Sequence, residues 1–96
     1  MLKQPISFNL PVTITKQGRR FVAYTPALDI STSGTTEKKV KENFFELVNV
    51  FLEELHTMGT THDVLTELGW KKSQKIWQPP QVISSSSIGI KIPVFA

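Results

Sequence analysis

A chain of 96 residues with no Cys and 40% hydrophobic residues makes one domain with one core, which excludes two independent domains, a disulfide framework, a cysteine zinc site and global disorder. No apolar run approaches the roughly 18–20 residues of a membrane span, and Met1-Leu2-Lys3-Gln4-Pro5 carries a single charge and no apolar stretch, so neither an anchor nor a signal peptide is expected and the cytosol is the default. The net charge of +3 is too mild to argue for nucleic acid, but it is unevenly spread: residues 42–67 hold six acids and no Lys or Arg, while the rest holds 11 basic and 2 acidic residues.

Residues 6–15 alternate, with Ile6, Phe8, Leu10, Val12 and Ile14 in one phase, and period two predicts a half-buried strand. Pro11 donates no amide, which places that strand at an edge or beside a bulge. Lys16-Gln17-Gly18 reads as a turn. Residues 19–25 form a second strand with Phe21, Ala23 and Thr25 on one face, completing a hairpin. Pro26-Ala27 is a break, and residues 28–33 are a third short strand ending at Gly34.

Thr35-Thr36 opens a helix, since a Thr hydroxyl accepts from an orphan first-turn amide and Glu37 suits the positive helix end. Val40, Phe44, Leu47, Val48, Phe51, Leu52, Leu55 and Met58 recur at steps of 3, 4 and 1, the apolar stripe of a helix of about six turns. Phe45 and Val50 lie off that stripe. Gly59 ends the helix. Thr60-Thr61 caps a second, short helix with Val64, Leu65 and Leu68 inward, closed by Gly69, and Trp70 packs back. Residues 71–75 read as a basic turn and Ile76-Trp77-Gln78 as a strand. Pro79-Pro80 blocks helix and central strand alike. Ser84–Ser87 is a low-complexity run, read as mobile or a turn. Residues 88–94 alternate cleanly and read as a last strand, with Pro93 placing it at an edge. Three short-looped strands pair antiparallel and the long helix covers one face, an α+β two-layer sandwich in β-β-β-α-α-β order.

Over residues 21–70 the sequence resembles the HicB family of antitoxins. The carrying segment is Phe21-Val22-Ala23-Tyr24-Thr25-Pro26-Ala27-Leu28-Asp29-Ile30-Ser31-Thr32-Ser33-Gly34-Thr35-Thr36, followed by Val40, Asn43 and the helix stripe, then Gly59-Thr60 and Leu68-Gly69-Trp70. The resemblance implies a shortened RNase H-like sheet with a helix on one face, and a non-catalytic protein. It implies as partner a small basic, RNA-cleaving HicA-like toxin. Typical members add a C-terminal DNA-binding domain. Here the 26 residues after Trp70 contain paired prolines, a serine run and no helical period, so direct DNA binding is not expected. On this reading residues 1–78 are the HicB-like domain and 79–96 a C-terminal extension whose last strand is exchanged in a dimer or closes its own sheet.

The residues themselves offer little catalysis. Two-metal chemistry needs converging carboxylates, and the strands offer only Asp29, whose place after Pro26-Ala27-Leu28 suits a turn. His56 and His62 are six apart, without the helical spacing and third ligand of a zinc site. The five glycines are isolated, so no phosphate loop is present. No metal, cofactor or enzymatic activity is expected. Lys16, Arg19 and Arg20 offer contacts to RNA phosphates, with Tyr24 or Trp77 as stacking platforms, or are simply a solvated turn. Glu42, Glu46, Glu53 and Glu54 are either a solvated helix face or the complement of a basic partner, with Phe45 and Val50 as apolar anchors. Ile88, Ile90, Ile92 and Val94 form a candidate oligomer strand. Three functions follow: an antitoxin, an orphan HicB-like oligomeric scaffold without a toxin, or a weak RNA-binding protein.

Overall fold

A computed structural model describes residues 8–74 and 76–93. Strands β1 (Thr13–Gln17), β2 (Arg20–Thr25) and β3 (Ile30–Gly34) precede helices α1 (Glu37–Met58) and α2 (Thr61–Glu67), and strands β4 (Lys71–Ser73) and β5 (Ile76–Gln78) follow. The first three form an antiparallel sheet in the order β1-β2-β3, and β4 and β5 form a separate hairpin. The architecture is α+β, with α1 packed across one face of the larger sheet.

The β1–β2 hairpin closes on the pair Gln17↔Arg20, so its loop is Gly18-Arg19 rather than the three residues before Arg19. Gly18 takes φ +62 and Arg19 does not have positive φ, the pattern of a type II′ turn, whose twist suits the flanking strands. The first strand starts at Thr13, later than the alternation suggested. Its partner β2 ends at Thr25, where Pro26 breaks the chain, and Thr13 already pairs with Tyr24. Pro11 donates nothing to prolong the ladder. Phe8 and Leu10 therefore run alongside the core without joining the sheet, and Ile6 lies outside the described residues. The predicted inward face of β2 holds: Ala23 and Thr25 are buried and Phe21 is half-buried.

The third strand also begins two residues late, because Pro26–Asp29 is a four-residue loop closed by Thr25↔Ile30. That loop belongs to the core. The Ala27 amide donates to Thr25 Oγ1 at 3.2 Å, and Ala27 and Leu28 are buried with Leu55, Leu65 and Trp70. Trp70 Nε1–H donates to the Ala27 carbonyl at 2.7 Å. A buried indole and a buried loop carbonyl satisfy each other, as buried polar groups must.

Helix α1 begins with Thr36 as its N-cap, its hydroxyl accepting from the Lys39 amide at 2.9 Å. It ends in a Schellman motif: Gly59 N–H reaches His56 O and Thr60 N–H reaches Leu55 O. Its N-terminal half sets Val40 and Phe44 on Ala23, with Ile14 and Phe21 alongside. Its C-terminal half sets Leu55 among Ala27, Leu28, Leu65 and Trp70. Met58 departs from the predicted stripe. It is 71% exposed, because it occupies the last turn, beyond the reach of the sheet and α2. Thr60 occupies the cap position of α2 but makes no side-chain cap bond.

The segment read as a basic turn is instead a strand and half of a turn. Lys71–Ser73 pairs with Ile76–Gln78, and Gln74 reverses the chain at φ +50; Lys75 lies outside the described residues. Residues 88–93, predicted as a strand, form none within their own chain, and all are exposed; Val94 lies outside the described residues. The observed order is thus β-β-β-α-α-β-β: Ile76–Gln78 is the strand expected there, Lys71–Ser73 is its unforeseen partner, and the strand expected from residue 88 is not formed by the described residues.

Candidate functional site

Alpha1 presents two faces of opposite character. The core face holds Val40, Phe44 and Leu55, all buried. Residues 42, 46 and 53 fall within about 40° of one another at 100° per residue, and Glu42, Glu46 and Glu53 form an exposed stripe on the opposite side. Glu54 is also exposed but lies about 80–120° round the helix from them. Only Glu42 has an ion-pair partner among the described residues, Lys39 at 3.9 Å along the helix and well exposed, so the stripe keeps its negative field.

The two apolar candidates do not stand together. Phe45 is 70% exposed and Val50 is 50% exposed. Five residues of helix separate them by about 140°, so they flank the acidic stripe on opposite sides. Phe45 belongs to a groove that sequence reading missed. This groove, about 710 Å³, runs between the first strand and α1 and is lined by Phe8, Val12, Ile14, Phe45, Val48 and Leu52 among others. Each of those residues is visible in the sequence as apolar. Their assembly into a groove depends on how α1 crosses the sheet.

The three cations of the hairpin are divided. Lys16 pairs with Phe21 in the ladder and holds its ammonium 5.9 Å from that ring, on the side covered by α1. Arg20 pairs with Gln17 on the open side, where Nε and Nη2 donate to Ser33 Oγ at 3.3 and 3.1 Å. Arg19 sits in the turn. No single basic patch results.

Tyr24 lies on the open face, and its hydroxyl donates to Asp29 Oδ1 at 3.0 Å. That hydrogen bond raises the phenol pKa above its ordinary value; lost hydration and the Asp29 charge act in the same direction. Asp29 takes φ +53 in the turn, so the only acid beside the strands closes a loop. Trp77 is half-buried, with the His62 ring edge-on at 5.6 Å and the Lys72 ammonium 5.7 Å from its ring. His62 Nδ1 is 3.8 Å from Asp63 Oδ1, both exposed. No group of three His, Cys, Asp or Glu side chains converges among the described residues, and no helix there is long and apolar enough to cross a membrane.

Beyond the hairpin, Pro79 and Pro80 run beside Asn9–Pro11 and Gly69. The chain then extends away. Ile88, Ile90 and Ile92, the described members of the candidate oligomer strand, are 81, 81 and 78% exposed.

Against this geometry, no protein-family model, no curated protein and no solved structure matches the chain.

Proposed function

We propose that this chain is a HicB-like antitoxin, a cytosolic protein that binds a small basic HicA-like toxin and blocks its cleavage of RNA. The observation that carries the reading is the acidic stripe of Glu42, Glu46 and Glu53 along a 22-residue helix, opposite the face that packs on the sheet. A basic RNA-cleaving protein must display a cationic surface to its substrate, and an acidic face competes for that surface by complementary charge. The resemblance over residues 21–70 supports the same partner. The activity proposed is binding and not catalysis. Direct RNA binding is less favoured, because Arg20 is engaged by Ser33 and Lys16 by Phe21, on opposite sides of the sheet.

The test is capture of the tagged chain from its native cell at native level. The expected result is a small basic protein in one-to-one ratio, released by high salt as the Debye length shrinks. Its RNA cleavage stops when the purified chain is added. Glu46→Lys/Glu53→Lys loses both capture and inhibition. Repeated recovery of the chain alone would overturn the antitoxin reading in favour of an orphan scaffold.

A further inference from the structure

Among the described residues the chain carries an alternating apolar segment that joins no sheet and a sheet edge with no partner strand. Strand β1 lies at the edge of the order β1-β2-β3, so its outer amides and carbonyls have no partner strand among the described residues. The apolar groove along it keeps Phe8, Val12 and Phe45 at 38, 40 and 70% exposure. The other edge, β3, is closely backed by α1. Gly34 there meets the α1 backbone directly, and Asn43 Nδ2–H donates to Ser33 O at 2.9 Å. An unpaired edge beside an apolar groove is a template for strand addition.

The tail fits that template. Ile88, Ile90 and Ile92 share one phase, and Gly89, Lys91 and Pro93 the other. Amide direction alternates with the same period as side-chain direction. When the isoleucine residues turn their amides to the edge, Pro93 falls in the outward phase, where its missing N–H costs nothing. The tail does not lie in the groove of its own chain. Pro79-Pro80 sends it outward, and the molecule measures 65 × 28 × 23 Å with a radius of gyration of 16.8 Å, against about 12.5 Å for a compact chain of this length. Thirteen extended residues, 81–93, reach on the order of 43–47 Å, far enough to span a neighbouring copy.

We propose that residues 88–92 of one copy pair with the β1 edge of a second copy and press Ile88, Ile90 and Ile92 into the groove between β1 and α1, reciprocally, as a two-fold exchanged dimer. Reciprocity closes the assembly and leaves no free tail and no free groove. Phe45 is covered by the partner's tail, while Glu42, Glu46 and Glu53 remain open. The inference does not rest on a toxin, and it is tested on the purified chain alone.

The experiment is mass by light scattering on three proteins. The unmodified chain is expected at about twice its 10.8 kDa. A tail variant, Ile88→Asp/Ile90→Asp/Ile92→Asp, and a groove variant, Val12→Asp/Phe45→Asp, are each expected at the mass of one chain. All five substitutions fall on exposed residues, so circular dichroism and melting of the monomers verify that the fold persists. An equimolar mixture of the two variants is then expected to recover a heterodimer, because one intact tail meets one intact groove. A monomeric unmodified chain would overturn the proposal and return the tail to its own groove or to solvent. Dimers that survive in either variant would place the interface elsewhere. Failure of the mixture to associate would overturn the pairing of tail with groove.

Discussion

Tyr24, the only tyrosine of the chain, shows how one contact couples a loop to pH. Its phenol donates to Asp29, and the acceptor carboxylate favours the protonated phenol. The folded state therefore holds this proton more tightly than the unfolded state, whose tyrosine titrates near 10. The sign follows from linkage: the stabilisation is fully present below about pH 10 and is lost as pH rises through the raised folded pKa. The ultraviolet phenolate band should rise at higher pH in the folded chain than in a denatured one. Asp29→Asn keeps a residue that tolerates the left-handed turn and removes the charge, so it should move the midpoint back down. Equal midpoints in both proteins would show that the contact does not form in solution.

At the scale of elements, β3 and α1 approach each other backbone to backbone at Gly34. A Cβ on Gly34 would lie 2.8 Å from the Val40 amide nitrogen and 2.9 Å from its Cα. Both are backbone atoms, which cannot swing aside as a side chain does. Gly34→Ala should force α1 away from the sheet, stretch the Asn43–Ser33 hydrogen bond and loosen Val40 and Phe44 over Ala23. The expected cost is about 1–3 kcal/mol, typical of overpacking. It would be read as a lower urea midpoint at unchanged slope. An unchanged midpoint would mean that helix and strand sit further apart than described.

At the scale of the molecule, the core and the tail are separable. The core runs from the β1–β2–β3 sheet through α1 to Trp70, while every described residue beyond Pro80 is exposed. Deleting the chain from Ser84 onward should leave cooperative unfolding intact. It should also abolish the dependence of melting temperature on protein concentration that an exchanged dimer shows by mass action. A concentration-dependent melt in the shortened chain would place the association on another surface.

The elements that depend on local periodicity were readable directly. The α1 stripe, its Thr36 cap and its Gly59 stop are all short-range patterns, and so is the inward phase of Phe21, Ala23 and Thr25. The same holds for the isolation of Asp29 in a turn and for the position of Phe45 and Val50 off the buried stripe. Strand limits were readable where a turn or a proline marks them, as for residues 20–25 and 76–78, but not at the start of β1, because a strand lasts only as long as its partner. The alternation from Ile6 to Ile14 carried no sign that β2 would run out at Thr25. Alternation at residues 88–93 likewise signals a segment able to pair, without naming the edge. The split of Lys16 from Arg20 follows from hairpin register, which the Gly18-Arg19 turn determined. Local patterns alone were enough for the α+β class, for the two helices and for the acidic stripe between Glu42 and Glu53, since each is set by residues within a few turns of one another. The burial of the Ala27-Leu28 loop, the groove along β1 and the outward course of the tail arise from tertiary packing. Those features are made by contacts across distant parts of the chain, such as Trp70 to Ala27, whose free energy depends on packing that no local pattern encodes.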